Sequence, residues 1–319
     1  MRLAQLRHLL ATVEHGSIRG AARALDVAPP AVTRSIRELE QELGIQLLER
    51  TAHGVVPTVA GKAFLARART VQNELARMRE DSAQLSGGAA IVKFGYGPPA
   101  MPLLSPALAS FRRQYPTARV RMVVGLPPAL LPRLREGELE FVIGPLRPAW
   151  TQCNDKYFKT YPLYRIELVV VARRGHPLRN ARSLAELSGA DWLLYGEPFE
   201  SSKDSAGKAL PIETALPAPR SVTQCTDSGD HVTLLAESDM LSIHNQHCWA
   251  HGTGGLLEAF PVKLSLPGST IHVFVRGDSP LTPAASAMVS AIKREARRFN
   301  SSGREARREE TSVTTAALV

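Results

Sequence analysis

Apolar residues recur at helical spacing from Leu3 to Leu43 and predict three short helices. The first helix ends at His15-Gly16, and Ser17 is well placed to cap the second. The second helix, Ile18 to Leu25, carries two alanines that are small enough for another helix to cross closely. The third helix opens at Pro29-Pro30, because proline is tolerated in a first turn. The apolar stripes consist of Leu3, Leu6, Leu9, Leu10, Val13, Ile18, Ala21, Ala22, Leu25, Val32, Ile36, Leu39 and Leu43.

The outer face of the third helix carries the side chains that a DNA-reading helix needs. These residues are Pro30, Thr33, Arg34, Arg37 and Gln41. Arginine can bond a guanine edge or a phosphate, while a packed inner face fixes the angle of the helix. The alternative is a solvated helix face with ordinary charges, and for this helix alone that alternative is favoured.

The residues after the third helix predict a wing. Short extended segments flank His53-Gly54, and Thr58 can cap a long helix that starts near Ala60. Arg50 and Thr51 would lie where a wing contacts the phosphate backbone. The predicted DNA-binding residues are Ser17, Pro29, Pro30, Thr33, Arg34, Arg37, Arg50, Thr51 and Thr58.

A heptad seam runs from Gly61 to about Leu85, since small and apolar residues there alternate at spacings of three and four. The alternative is one amphipathic helix packed on its own domain. The length of the seam and the following Ser86-Gly87-Gly88 stretch favour pairing of two chains, which would hold two recognition helices over a two-fold operator. The seam residues are Gly61, Phe64, Ala68, Val71, Leu75, Met78, Ser82 and Leu85.

From Ile91 onward the pattern changes to short apolar strands that alternate with helices. This alternation implies parallel sheets covered on both faces, in which ligands bind at the carboxyl ends of strands near helix N-termini. The predicted strands are Ile91 to Gly95, Val120 to Gly125, Phe141 to Gly144, Leu168 to Ala172, Trp192 to Tyr195, Met240 to Ile243 and Ile271 to Val275. The helices between them include Leu103 to Tyr115 and Leu130 to Glu136.

The chain resembles the LysR-type transcriptional regulators along nearly its whole length. In the N-terminal part the matching segments are Gly16-Ser17-Ile18, Ala21-Ala22, Leu25, Ala31-Val32-Thr33-Arg34, Ile36, Leu39-Glu40, Leu43-Gly44, Leu47-Leu48-Glu49-Arg50 and Thr58-Val59-Ala60-Gly61. In the α/β part they are Phe111 to Pro116, Leu134 to Glu140, Arg173 to Leu178 and Ser238 to Leu241. The order and spacing of these segments are highly specific.

The resemblance implies an α/β protein with an N-terminal all-α winged helix-turn-helix at residues 1–60 and a linker and dimerisation helix at 61–88. A two-lobed, periplasmic-binding-protein-like effector domain would occupy 89–299, with one lobe at about 90–161 plus 268–299 and the other at about 162–267. The chain would cross between lobes near Pro162-Leu163 and near Leu264 to Pro267. The resemblance also implies a double-stranded DNA operator, RNA polymerase and a small-molecule co-inducer as partners, and a homotetramer built as a dimer of dimers.

One departure from the family pattern lies where the third helix begins. The family commonly has a Ser-Gln pair before the proline that opens the recognition helix, and Ala28 and Pro29 occupy those places here. The serine cap is lost, and so is a glutamine that in the family often reaches a base or a phosphate. Sequence readout is therefore expected to depend more on Thr33, Arg34 and Arg37.

The effector cleft is predicted from loops that follow strands. In the family the first two of these loops often present hydroxyl groups to a carboxylate, but here they are rich in proline, which removes amide donors. We therefore expect a more apolar or aromatic effector, and the alternative is that these prolines only shape turns. The predicted residues are Gly97, Pro98, Pro99, Ala100, Met101, Pro127, Pro128, Gly144, Gly196, Ser201, Ser202 and Thr226.

Composition supports the same class of protein. A length of 319 residues suits two or three domains, and no apolar run is long enough to span a bilayer. The formal charge of +9 suggests an acidic partner such as nucleic acid, although part of it lies after Lys293. The N-terminus has no signal-peptide pattern and three cysteines make no disulfide scaffold, so a cytoplasmic location is expected. The tail at residues 300–319 is rich in Ser, Arg, Glu and Thr and is expected to be disordered.

Four other hypotheses compete with this interpretation. If helical, His244, His247, Cys248 and His251 would share one face that suits zinc or copper, but a polar helix start that binds nothing is favoured, so no metal or cofactor is expected. A redox switch through Cys225 and Cys248 is less favoured than buried, inert thiols. An enzyme is not expected, because the sequence has no nucleotide loop and no serine nucleophile elbow. A ligand-independent DNA-binding protein, with an α/β region used only for assembly, stays open.

Overall fold

In the computed structural model, the first three helices lie where the apolar pattern predicts them. Helix α1 is Leu3–Glu14, α2 is Ile18–Leu25 and α3 is Pro29–Leu43. Their apolar stripes meet in one core, in which Leu9, Ala21 and Leu39 are fully buried. Each stripe buries one side of its helix and leaves the other side to solvent, as the 3.6-residue period requires.

The structure describes residues 1–51, 54–146, 157–195, 218–246, 255–264 and 269–316. The chain divides into two compact units, one formed by Met1–Ala90 with Pro132–Leu139 and the other by Ile91–Leu131 with Glu140–Val319. In the part of the chain that the structure covers, no helix combines the length and the apolar character needed to cross a membrane.

The predicted wing is present. Strand β1, Leu48–Thr51, pairs antiparallel with β2, Gly54–Pro57. The Glu40 carboxylate of α3 accepts the backbone N–H groups of Leu47 at 2.8 Å and Leu48 at 3.1 Å, which ties the wing to the third helix. The backbone N–H of Val55 donates to the carbonyl of Gly16 at 2.9 Å, so the wing is also joined to the turn between α1 and α2.

Helix α4, Val59–Leu85, begins at the end of the wing. The Thr58 hydroxyl caps it by accepting the N–H of Gly61 at 2.9 Å, and donates to the Gln46 carbonyl at 2.8 Å. The first turns pack on their own domain, since Leu65 and Ala68 belong to the N-terminal core. Farther along, Val71 and Met78 of the predicted seam are exposed at 42% and 64%. The alternative of packing on its own domain therefore holds for the first turns, and pairing of two chains through the rest of the seam stays a prediction.

The first lobe of the second unit is a five-stranded sheet with the order β4-β3-β5-β12-β6. Strand β3 pairs in parallel with β4 and β5, whereas β12 is antiparallel to both β5 and β6. Within this sheet the prediction of parallel strands is thus correct only for β3, β4 and β5. Strand β12 comes back into the sheet after the second lobe and runs in the opposite direction. The strands are β3, Ile91–Tyr96; β4, Arg119–Val124; β5, Phe141–Pro145; β6, Phe158–Ile166; and β12, Ser269–Arg276. The helices are α5, Met101–Gln114; α6, Pro127–Arg135; and α8, Pro283–Ala316.

The second lobe contains a three-stranded sheet and a parallel pair. Strand β7, Leu168–Arg173, lies between β10, Ser242–Asn245, and β11, Leu257–Ala259, and is antiparallel to both. The parallel pair is β8, Asp191–Tyr195, with β9, Ser221–Cys225, and helix α7 is Ser228–Ala236. Trp192 is fully buried in the core of this lobe. The strands predicted from apolar runs are present here, with β10 shifted two residues toward the C-terminus.

The first crossing between lobes is later than the sequence predicts. Strand β6 runs through Pro162-Leu163, and the chain leaves the first sheet at Glu167, so the predicted boundary at 161/162 is wrong. Proline lacks an N–H and is confined in sheets to edge strands and bulges. Pro162 satisfies both conditions, because β6 is an edge strand and its pairing with β12 shifts register between Ile271 and His272. The second predicted crossing falls mostly at 265–268, outside the described residues.

Helix α8 continues to Ala316 and so includes most of the tail at residues 300–319, whose disorder stays a prediction. Its first half is anchored in the core by Ala284, Met288 and Ile292, all fully buried. A helix that is already nucleated extends at little cost, and residues 304–310 are Arg, Glu and Ala, which favour helix. Composition alone missed this because it ignores the helix that precedes the tail.

The close approach of α4 to the wing gives a prediction about Gly61. A Cβ atom at this position would lie 2.0 Å from the Leu47 carbonyl oxygen. We expect Gly61→Ala to lower the free energy of unfolding of the N-terminal unit by about 1–3 kcal/mol, although alanine ordinarily stabilises a helix relative to glycine. Urea unfolding followed by circular dichroism measures it. Ser82→Ala, on the exposed part of the same helix, is the control, and an unchanged or higher stability of Gly61→Ala would contradict the close approach.

Candidate nucleic-acid interface and effector site

The outer face of α3 and the start of α2 form a groove of about 690 Å³. Predicted DNA-binding residues in its lining are Pro29, Pro30, Thr33, Arg34 and Arg37; the other lining residues are Ile18, Arg19, Glu38 and Gln41. Behind the groove, Val32, Ile36 and Leu39 are buried on the opposite side of α3. The helix therefore has one face committed to the core and one face open to a ligand.

The groove is electropositive. Arg19, Arg34 and Arg37 are exposed, and the carboxylate in the lining, Glu38, forms an ion pair with Arg2 at the start of α1. Guanidinium groups suit guanine edges and phosphates alike. The sequence prediction did not include Arg19. The available signal was its place two residues after the Ser17 cap, which sets it on the first turn of α2.

The remaining predicted DNA-binding residues lie outside this groove. Arg50 and Thr51 are exposed on β1, and the Thr51 hydroxyl donates to the Gly54 carbonyl at 3.2 Å across the hairpin. Ser17 accepts the N–H of Gly20 at 3.0 Å, and Thr58 caps α4. The structure thus gives the last two hydroxyls the capping roles that the sequence predicts, and their contact with DNA stays a prediction.

The loops after β3 and β4 meet the end of β5 at the carboxyl edge of the first sheet. The N–H of Gly97 donates to the Ile143 carbonyl at 2.8 Å, and a Cβ on Gly144 would lie 2.9 Å from the ring of Pro127. A Cβ on Gly97 would lie 3.7 Å from the carbonyl oxygen of Gly125. Glycine at position 144 allows the end of β5 to approach the ring of Pro127 closely, whereas the contact at Gly97 is an ordinary van der Waals distance. This edge is where ligands bind in such sheets.

The other predicted effector residues differ in exposure. Pro98–Ala100 form one turn of 3-10 helix, in which Ala100 is buried and the Pro99 carbonyl accepts the Tyr164 hydroxyl. Pro127 is buried, whereas Met101 and Pro128 are exposed at the starts of α5 and α6. Thr226 is exposed after β9. Gly196, Ser201 and Ser202 lie outside the described residues.

His244 lies on strand β10, opposite Val169 of β7, so the predicted shared helical face is wrong for this residue. Its ring stacks on His231 of α7, with centroids 4.8 Å apart. His247, Cys248 and His251 lie outside the described residues. In the ranges that the structure covers, no group of three or more His, Cys, Asp or Glu side chains is arranged to hold a metal ion.

The two imidazoles form a directional hydrogen-bond chain. His231 Nε2 lies 3.3 Å from the Leu193 carbonyl oxygen and 3.2 Å from the Ser242 hydroxyl. Because a carbonyl oxygen can only accept, we assign the proton to Nε2, and Nδ1 accepts. His244 Nε2 then donates to His231 Nδ1 at 3.2 Å. Burial lowers the pKa of His231, and burial together with the neighbouring His231 lowers the pKa of His244 to about 3. Both rings are therefore neutral at pH 7. No sequence spacing pairs them, because they lie on different elements.

The Cys225 thiol is partly buried and donates to the Asp227 carbonyl at 3.2 Å. It packs with the apolar residues between β7 and α7. Cys248 lies outside the described residues, so the choice between a redox pair and inert thiols stays a prediction.

Two family models match this chain. The model for bacterial regulatory helix-turn-helix proteins of the lysR family matches residues 3–62, and the model for the LysR substrate binding domain matches residues 91–297. The second match alone covers more than half of the chain. The chain belongs to the LysR family.

Similar proteins agree with this assignment. The LysR-family chain is 28% identical over 298 residues to the HTH-type transcriptional regulator GbpR of Azospirillum brasilense, covering 91% of this chain and 86% of the relative. It is 32% identical over 307 residues to the SDS degradation transcriptional activation protein of Pseudomonas sp. (strain ATCC 19151), covering 91% and 95%. The fold is similar to that of full-length CbnR in complex with its target DNA, with a TM-score of 0.64, 21% identity, and coverage of 92% of this chain and 100% of that one.

The family assignment confirms the resemblance seen in the sequence. This LysR-type regulator binds DNA through its helix-turn-helix, and an effector bound to its α/β domain controls that activity. Its relatives are transcriptional regulators and not enzymes, which confirms the prediction that it has no catalytic role.

The groove gives a prediction about Arg34. We expect Arg34→Ala to weaken binding to the specific DNA site by about 1–3 kcal/mol, because a guanidinium on a base edge discriminates by that amount. Gel-shift titrations on the specific site and on a scrambled duplex separate base from phosphate contacts. Arg23→Ala is the matched control, since it removes the same charge from an exposed position of α2 outside the groove lining. An unchanged affinity of Arg34→Ala for the specific site would rule out the role.

The histidine pair gives a prediction about pH. The folded-state pKa of His244 is lowered from 6.5 to about 3. Between these two pH values His244 binds a proton in the unfolded chain but stays neutral in the folded chain. Stability is therefore full above pH 6.5 and falls as the pH is lowered, by about 2 kcal/mol for His244 between pH 7 and 5. Urea unfolding of His244→Gln should show a shallower pH dependence than the wild type, with exposed His15→Gln as the control. An identical pH dependence in His244→Gln would contradict this assignment.

Proposed function

We propose that this LysR regulator responds to a small apolar or aromatic effector, which shifts paired chains between two arrangements of their recognition helices on an operator. The carrying observation is that the loops after β3 and β4, residues 97–101 and 125–128, combine proline-rich helix starts with no hydroxyl side chains. DNA binding belongs to the electropositive groove on α3. The two functions occupy different units of the chain.

The effector chemistry follows from the missing donors. Helix N-termini hold anions through free amide groups. The 3-10 turn at Pro98–Ala100 begins with two prolines, α5 has Pro102 in its first turn, and α6 begins with Pro127 and Pro128. Each proline removes one donor from a helix start. A carboxylate would therefore find few partners at these three helix starts, whereas an apolar ring would pack against the exposed Met101 and Pro128.

Assembly is proposed from α4. Val71 and Met78 continue the heptad seam beyond the part of the helix that packs on its own domain, and both are exposed. A second copy of α4 would cover them and would place two recognition helices on a two-fold site. We also propose that two such dimers assemble into a tetramer. The protein would act in the cytoplasm, where it would contact RNA polymerase while bound to DNA. The effector is the one small ligand that we propose, with no metal or cofactor.

The mechanism that we propose is a population shift. The paired chains have two arrangements, and the effector binds one of them more tightly than the other. The difference between these two affinities sets the largest change that the effector can cause in the affinity for DNA. The competing hypothesis, which the match to the LysR substrate binding domain disfavours, is a ligand-independent DNA-binding protein whose α/β domain serves only in assembly. It predicts that no compound bound by the α/β domain changes the affinity for DNA.

The test is calorimetric titration of the full chain with neutral aromatic compounds, aromatic carboxylates and sulfonates, and small aliphatic carboxylates, followed by gel-shift titrations with each compound that binds. We expect the aromatic compounds to bind more tightly than the aliphatic carboxylates and to change the affinity for DNA. Met101→Glu should weaken binding of the neutral compounds. Tighter binding of aliphatic carboxylates would contradict the effector class. Binding without any change in DNA affinity would support the competing hypothesis.

A further inference from the structure

We propose that Pro29 is a specificity residue that reads the C5-methyl group of a thymine in the operator. This inference rests on the assignment of the α3 groove as the DNA-reading surface. It goes beyond that assignment by naming the base, the chemical group on it and the side chain that recognises it.

The start of α3 has lost the polar groups with which a helix usually meets DNA. Ala28, the N-cap residue, makes no side-chain hydrogen bond. Pro29 and Pro30 have no N–H, and the N–H of Ala31 donates to the Ala28 carbonyl at 2.9 Å. The first turn, residues 29–31, therefore presents no free amide to a phosphate. A polar contact with the DNA backbone at this end of α3 is excluded for these three positions.

The same turn is apolar and accessible. Pro29 and Pro30 are both exposed, and both line the groove. Ile18, from the start of α2, adds an apolar side chain to the lining. The Thr33 hydroxyl donates its proton to the Pro29 carbonyl at 3.2 Å, so that proton is engaged within the helix. The opening of the recognition helix is thus an apolar strip inside an otherwise basic groove.

The arginines of the groove determine what can occupy this strip. Arg19, Arg34 and Arg37 attract a polyanion to the same surface, which favours the DNA duplex over an apolar ligand. Of the groups that B-DNA presents in its major groove, the thymine C5-methyl is the apolar one, and apolar side chains recognise it by contact. A proline ring is rigid and exposes only carbon atoms on its outer side, so it discriminates by shape and burial of that methyl.

The test uses the full-length chain and a duplex selected by it from a random pool. Each thymine of the selected site is then replaced, one at a time, by deoxyuridine, which removes only the methyl group. We expect one position in each half-site at which this change weakens wild-type binding about three- to five-fold, the effect of burying one methyl group. At that position Pro29→Ser should bind the thymine and deoxyuridine duplexes equally.

The control is Pro106→Ser, which makes the same chemical change at an exposed proline of α5 and should keep the full sensitivity to deoxyuridine. Circular dichroism checks that both variants fold. The comparison of thymine and deoxyuridine duplexes with the wild-type chain does not depend on either variant. A selected site at which no deoxyuridine changes wild-type affinity would overturn the proposal while leaving DNA recognition intact. Sensitivity retained in Pro29→Ser would overturn it as well. Failure to select any site would instead reject the groove as a sequence reader, and the proposal with it.

Discussion

Burial of the inner face of α3 against α1 and α2 is the constraint on which the DNA-reading surface depends. Val32 and Leu39 are fully buried, so the helix cannot rotate without exposing them. The outer face of α3, which lines the groove, is thereby held in a fixed orientation. The Glu40 carboxylate on the same helix accepts two backbone N–H groups at the start of the wing, and Thr58 and Gly61 then join the wing to α4. One packed helix thus sets the positions of the reading face, the wing and the linker helix.

Much of this N-terminal arrangement could be predicted from the sequence, because each feature has a local cause. The apolar period gives the helices, Ser17 and Thr58 give the caps, and His53-Gly54 marks the turn of the wing. Among the groove residues outside the predicted set, Arg19 had as its signal only its place two residues after the Ser17 cap. It joins the site because α2 packs on α3 in the N-terminal core, which is a consequence of tertiary packing.

The α/β domain shows where sequence patterns are insufficient. Strand β6 passes through Pro162, which reads locally as a boundary, because an edge strand and a register shift tolerate the missing N–H. Helix α8 extends through a polar segment because its buried first half nucleates it. The pair of His231 and His244 joins a helix and a strand that are separated along the chain, so only the fold brings it together. In each case a long-range contact overrides a local preference.

The central claim is that two recognition helices, held at a fixed separation by paired α4 helices, read one two-fold DNA site. Hydroxyl-radical footprinting of the full chain on a selected duplex tests it most directly. We expect two protected stretches on one face of the duplex, separated by about 10 base pairs or a multiple of that spacing. A single protected stretch that persists when binding is saturated would contradict the claim.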